Sequence, residues 1–133
     1  MKCLIVREPF AGYIVDGVKC VEYRTKPTKI RGRIGIIQSK TGTVIGDVDL
    51  YYCKFEDELG LYCWYFSSAR RYKTPVTYEK KRGAVVWENV DMYPQLEERA
   101  PELSYEQFRI ECETYGKTIR TFLKNYLNKR KKA

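Results

Sequence analysis

Gly17-Val18-Lys19-Cys20-Val21-Glu22-Tyr23-Arg24-Thr25 sets the frame for the chain on either side of it. Upstream, Phe10, Tyr13 and Ile14 recur at spacings of three and four, one apolar face of a short helix. Pro9 suits the first position of that helix, where a missing N–H costs nothing, and Gly17 suits its stop. Downstream, Val21 onward reads as a strand, whose side chains alternate between faces. Glu22 and Arg24 then share one face, with Val21 and Tyr23 on the other. A carboxylate and a guanidinium so placed either pair directly or clasp something between them. As an ordinary surface ion pair they contribute only about 0–1 kcal/mol. Lys19 sits where the chain leaves the helix, so its direction is open.

Cys3-Leu4-Ile5-Val6 reads as a buried strand before the helix. Arg7 and Glu8, at the junction, either face a pocket or, for Glu8, simply favour the helix N-terminus. After the motif, Arg24, Lys26, Lys29, Arg31 and Arg33 put five cations within ten positions, uninterrupted by an acid. Such a run is either a solvated loop or a nucleic-acid contact. Ile34 to Ser39 reads as a strand, and Gly35 within it implies a bulge or a close backbone approach. Thr41-Gly42-Thr43 is a turn. Val44 to Phe55 is the longest strand, with Val48, Leu50 and Tyr52 alternating against Asp47, Asp49 and Tyr51 in a half-buried pattern. Glu56-Asp57-Glu58 is an acidic connection. Leu61 to Phe66 is an aromatic strand that serves a core or stacks bases. Ser67 to Lys73 is expected to be a loop carrying Arg70, Arg71 and Lys73. Val76-Thr77-Tyr78 and Gly83-Ala84-Val85-Val86-Trp87 complete the strands.

Beyond Val90 the composition changes, which divides the chain into residues 1–92, a linker at 93–103 and a C-terminal segment at 104–133. Ser104-x-x-Gln107 is a capping-box start. From there Tyr105, Phe108, Cys112, Tyr115, Ile119, Phe122 and Tyr126 step by three and four, a long amphipathic helix. Its aromatic stripe and poor e/g charge pairing favour packing back on the chain over a homodimer. The helix ends in Asn128-Lys129-Arg130-Lys131-Lys132-Ala133, a soluble tail or a sequence-blind phosphate hook.

The 133 residues make one domain of ordinary size with a net charge of +8. Lys124, Lys129, Arg130, Lys131 and Lys132 supply five of those charges, so +3 remains for the rest and the basicity is not only a tail effect. A basic surface favours phosphate backbones or anionic lipid heads. No apolar run approaches the ~20 residues of a membrane span, and no signal peptide opens the chain, so a cytoplasmic address is expected. Cys3, Cys20, Cys53, Cys63 and Cys112 are odd in number and form no C-x-x-C pair, which argues against a disulfide framework and a structural zinc site. The absence of histidine excludes Ser-His-Asp and Cys-His catalysis. Lys, Glu, Asp, Tyr or Cys must carry any acid–base chemistry. There is no P-loop and no G-x-G-x-x-G, so neither cofactor nor metal is expected.

Gly17-x-Lys19-x-x-Glu22-x-Arg24 resembles the G-x-K-x-x-E-x-R signature of ASCH domains, in the PUA-like superfamily. Pro9-Phe10-Ala11, Arg31-Gly32-Arg33-Ile34, Gly46-Asp47-Val48, Tyr62-Cys63-Trp64-Tyr65, Arg70-Arg71, Pro75-Val76 and Gly83 to Trp87 follow in that family's order. The resemblance covers residues 2–90 and leaves the C-terminal helix outside it. It implies an α+β fold: a small β-barrel of five to six strands with a short N-terminal helix, to which the chain adds a long C-terminal one. It also implies a nucleic-acid-binding module, RNA preferred over DNA. On that view phosphates lie on Lys26, Lys29, Arg31, Arg33, Arg70 and Arg71, contacts that position a strand without reading it. A pocket of Lys19, Glu22 and Arg24, with Tyr65 stacking, reads a base or modified nucleotide.

The same resemblance supplies a hydrolase alternative, because some ASCH-like proteins are amidohydrolases of acylated cytidine and others ribonucleases. Lys19 matches the amidohydrolase lysine. The threonine position holds Glu22 instead, and no later glutamate aligns, so that triad is not assembled. In an enzyme a desolvated Lys19 would serve as base and Glu22 would orient water, while metal-independent ribonuclease chemistry would take its base and phosphate-binding cation from Lys19 and Arg24. A third reading is a protein-interaction adaptor built on the C-terminal helix.

Overall fold

The chain runs β1 (Lys2–Val6), α1 (Phe10–Val15), β2 (Val21–Arg24), β3 (Gly32–Gln38), β4 (Thr43–Glu56), β5 (Leu61–Thr77), β6 (Trp87–Asn89) and α2 (Tyr105–Lys132). The computed structural model describes residues 1–84, 86–93 and 99–132. The strands form one mixed sheet in the order β2-β5-β4-β3-β1-β6. β1 and β3 are parallel, with Cys3 opposite Gly35. Parallel neighbours need a crossover, and α1 with β2 lies on it. A Cβ on Gly35 would stand 2.5 Å from Cys3 Sγ, so the glycine marks a close strand approach, as its place in an apolar run implies. Leu4, Val6, Ile34, Ile36, Val48, Leu50, Trp64 and Phe66 form the core, capped by Ala11, Ile14 and Val15 of α1.

The expected barrel is a rolled sheet that stays open. β2 and β6 are its two margins, and they are short, four and three residues. Rolling nevertheless brings Trp87 of β6 onto Trp64 of β5, ring centroids 5.8 Å apart and 12° from parallel. Arg24 of β2 donates to the Ile5 carbonyl of β1 at 3.0 Å, so a side chain rather than a strand ladder spans the seam.

The expected loop at Ser67–Lys73 is strand. β5 runs through it and pairs with β4 across three irregularities, with Ser68 at φ 52°. These bulges bend the ribbon and absorb residues that read as a loop. Val85 and residues 94–98, within the expected last strand and linker, lie outside the described residues, and β6 begins at Trp87. The end of the linker is not free: Arg99 bridges to Tyr72, and the Ala100 N–H bonds the Arg71 carbonyl at 2.7 Å.

The capping box forms reciprocally. The Gln107 N–H bonds Ser104 Oγ and the Ser104 N–H bonds Gln107 Oε1, both at 3.2 Å. α2 then packs back on its own chain: Tyr115 against Tyr13 (5.4 Å) and Phe122 against Phe10 (5.9 Å). At its far end Arg130 donates to the Leu59 carbonyl in the β4–β5 turn. The stripe from Cys112 to Tyr126 is half-buried, while Tyr105 and Phe108 are exposed. Among the described residues no helix is long and apolar enough to cross a membrane.

Alternation along β4 placed Asp47 on the wetter face, yet it is fully buried. It accepts from Arg33 of β3, from Arg70 Nε at 3.1 Å and from the Tyr72 hydroxyl at 2.6 Å. Burial, then the bond to Asp47, raises the Tyr72 phenol well above its ordinary pKa. Breaking a buried pair by removing one partner costs about 3–5 kcal/mol. Asp47→Ala should therefore lose about that much in urea denaturation, and a loss below about 1 kcal/mol would mean the cluster is not structural. Next to it, a Cβ on Gly46 would collide with the Arg70 carbonyl and lie 2.6 Å from Val15 Cγ1. Gly46→Ala should cost about 1–3 kcal/mol by the same measurement, from overpacking between α1 and the sheet.

Candidate functional site

Gly17, at φ +78°, ends α1 in the left-handed conformation that glycine tolerates. The N–H groups of Val18 and Lys19 both bond the Tyr13 carbonyl at 3.0 Å, folding the chain back on the helix. Lys19, just after that turn, points inward and is 1% exposed. Its ammonium lies 3.6 Å from Glu22 Oε1 and donates to the Tyr115 hydroxyl at 3.4 Å. The rings of Phe10, Tyr23 and Tyr115 stand 5.0–5.4 Å from it, a cation–π cage. Burial pushes the Lys19 pKa below its ordinary value, and Glu22 pulls against that shift. Burial likewise raises the phenols of Tyr23 and Tyr115.

Glu22 and Arg24 pair directly, 3.2 Å apart, on the face they share with Trp64. Glu22 is buried and also accepts from the Tyr23 N–H at 3.2 Å. Arg24 lies over the Trp64 ring, 5.7 Å from its centroid. Lys19, Glu22 and Arg24 therefore meet as one constellation, a carboxylate between two cations. They line a cleft of about 390 Å³ with Ile5, Val6, Arg7 and Phe10 on one side and Ile119 and Phe122 of α2 on the other. The cleft is the open seam of the sheet, and α2 roofs it. Apolar and aromatic walls around a few convergent polar groups are the usual build of a small-ligand site.

Tyr65 is not part of this constellation. It does not line the cleft; it pairs across the strands with Val21 and stacks on Tyr52 at 5.7 Å. The expected phosphate contacts divide in two. Lys26, Lys29 and Arg31 are exposed on the loop that leaves Arg24, and the Lys26 carbonyl ties that loop to Trp64 Nε1 at 3.1 Å. Arg33, Arg70 and Arg71 are already matched to acids, the first two to Asp47 and the third to Asp16 through two bonds of 2.7 and 2.9 Å. Those acids offset part of the positive field that these three arginines would present to a phosphate. Ile119 and Phe122 also line the cleft and Tyr115 contacts Lys19, three residues that the sequence marked only as a packing stripe. The aromatic run on that stripe was their one legible signal.

The family model for the ASCH domain matches residues 4–122, so the likeness extends past residue 90 and takes in most of α2. No curated protein matches the chain. Among solved structures, a tyrosine-to-phenylalanine mutant of ZmASCH from Zymomonas mobilis is similar at 17% identity and a TM-score of 0.49, over 57% of this chain and 74% of that one. With the signature residues gathered in one cleft and the match spanning nearly the whole sequence, the chain belongs to the ASCH domain family.

Proposed function

We propose that this protein binds RNA, holding one base or modified nucleotide in the seam cleft and the flanking phosphates on Lys26, Lys29 and Arg31. The observation that carries this reading is the continuity of the two features: Arg24 lines the cleft, and the exposed basic loop begins at the next residue. In the cleft Glu22 can accept from an exocyclic amine while Lys19 and Arg24 donate to a carbonyl or ring nitrogen. Phe10, Tyr23 and Phe122 offer apolar walls to a planar ring. The loop cations supply the sequence-independent part of the affinity. Preference for RNA would come from 2′-hydroxyl contacts.

A hydrolase reading has one observation in its favour, the lowered pKa of Lys19 beside Glu22, which suits a general base. An adaptor or homodimer built on the α2 stripe is disfavoured, because Cys112 to Tyr126 already pack against the chain's own body.

Single- and double-stranded RNA and DNA oligonucleotides, titrated at two salt concentrations, test the reading. Binding should weaken steeply with salt. For single strands Lys26→Ala/Arg31→Ala should lower the log–log salt slope by about 1.4, roughly 0.7 per lost charge. Lys19→Met and Glu22→Gln should keep most of the affinity and lose discrimination between base compositions. Equal affinity for DNA would remove the RNA preference, and no binding to any polymer would overturn the proposal. Turnover of RNA or of an acylated nucleoside, abolished in Lys19→Met, would move the assignment to a hydrolase.

A further inference from the structure

On β4 the ladder to β5 slips between Leu50 and Tyr52. A bulge of this kind re-aims side chains that strict alternation would separate. Here it turns two consecutive tyrosines toward one partner: Tyr51 and Tyr52 both lie against Tyr65, at 6.3 and 5.7 Å between ring centroids. The last two are nearly parallel, 30° apart. None of the three lines the seam cleft. Tyr51 is 57% and Tyr52 49% exposed, so the cluster offers open ring faces to solvent.

The charge beside this cluster is positive on one side and negative on the other. Gly32 of β3 pairs with Leu50, the residue before Tyr51, so Arg31, one residue before Gly32, enters the sheet at the tyrosine end of this ladder. The Arg31 guanidinium bonds the Thr28 and Ile30 carbonyls of its own loop at 2.8 Å, contacts that orient it without cancelling its charge. At the far end of the ribbon lie Glu56, Asp57 and Glu58, which repel phosphate. The basic loop from Thr25 to Arg31 thus starts beside the cleft and ends beside the tyrosines.

We infer that Tyr51, Tyr52 and Tyr65 form a stacking platform for unpaired bases of a single-stranded RNA whose phosphates follow Lys26, Lys29 and Arg31. Every base has a π-face, so such a platform holds a strand without reading it, and the cleft alone selects. This inference rests on the RNA-binding reading and adds a second contact to it.

The test compares one mixed-sequence 12-nucleotide RNA as a single strand and as a duplex. Tyr51→Ala/Tyr52→Ala should weaken single-strand binding about 5- to 100-fold, leave duplex binding within about twofold and leave the salt slope unchanged. Tyr51→Phe/Tyr52→Phe, which keeps the rings, should bind like the wild type. Unchanged single-strand affinity in the alanine variant, with the normal loss in Lys26→Ala/Arg31→Ala, would overturn the platform and leave the RNA-binding reading standing. Equal losses on strand and duplex would also overturn it. Failure of the wild type to bind either form would overturn both.

Discussion

A buried ammonium governs this structure. Lys19 is almost wholly out of water, and an ion moved there unpaired would cost several kcal/mol. The fold supplies what that burial demands from four directions. Glu22 of β2 provides the opposite charge, Phe10 of α1 and Tyr23 of β2 provide ring faces, and Tyr115 of α2 provides both a ring and a hydroxyl. The motif G-x-K-x-x-E-x-R is, in these terms, a recipe for that environment. The glycine turns the chain, the lysine enters, the glutamate meets it, and the arginine balances the glutamate while reaching the Ile5 carbonyl.

The same residues explain why the sheet stays open. A closed ladder between the margins would fill the seam with backbone and leave no cleft. Short margin strands leave a gap, one guanidinium spans it, and a helix covers it. Covering an unpaired strand edge with a helix also shields it from pairing with other chains. The opening in the roll and the protection of its edge are one arrangement.

Local chemistry made part of this legible from the sequence. The stop at Gly17, the Ser104–Gln107 cap and the pairing face of Glu22 and Arg24 depend on residues a few positions apart, and all three follow from spacing alone. The direction of Lys19 does not, because its cage is completed by Tyr115, 96 residues away. Asp47 looked solvated for the same reason: the cations that bury it come from β3 and β5. Arg33, Arg70 and Arg71 counted as free positive charge in the sequence until their acids were located. The tyrosine cluster was hidden by the bulge, since a one-residue slip reverses every face that alternation assigns.

α2 is the last element in the chain order, and it supplies the roof of the cleft. Contacts distant in sequence close longer loops and cost more chain entropy to form. The sheet can therefore assemble while Lys19 still faces water on its α2 side, with Glu22 as its near neighbour. Docking of the helix removes that water and sets Tyr115 against the ammonium. The cleft is thus completed by the docking of α2 rather than by the formation of the motif that defines it.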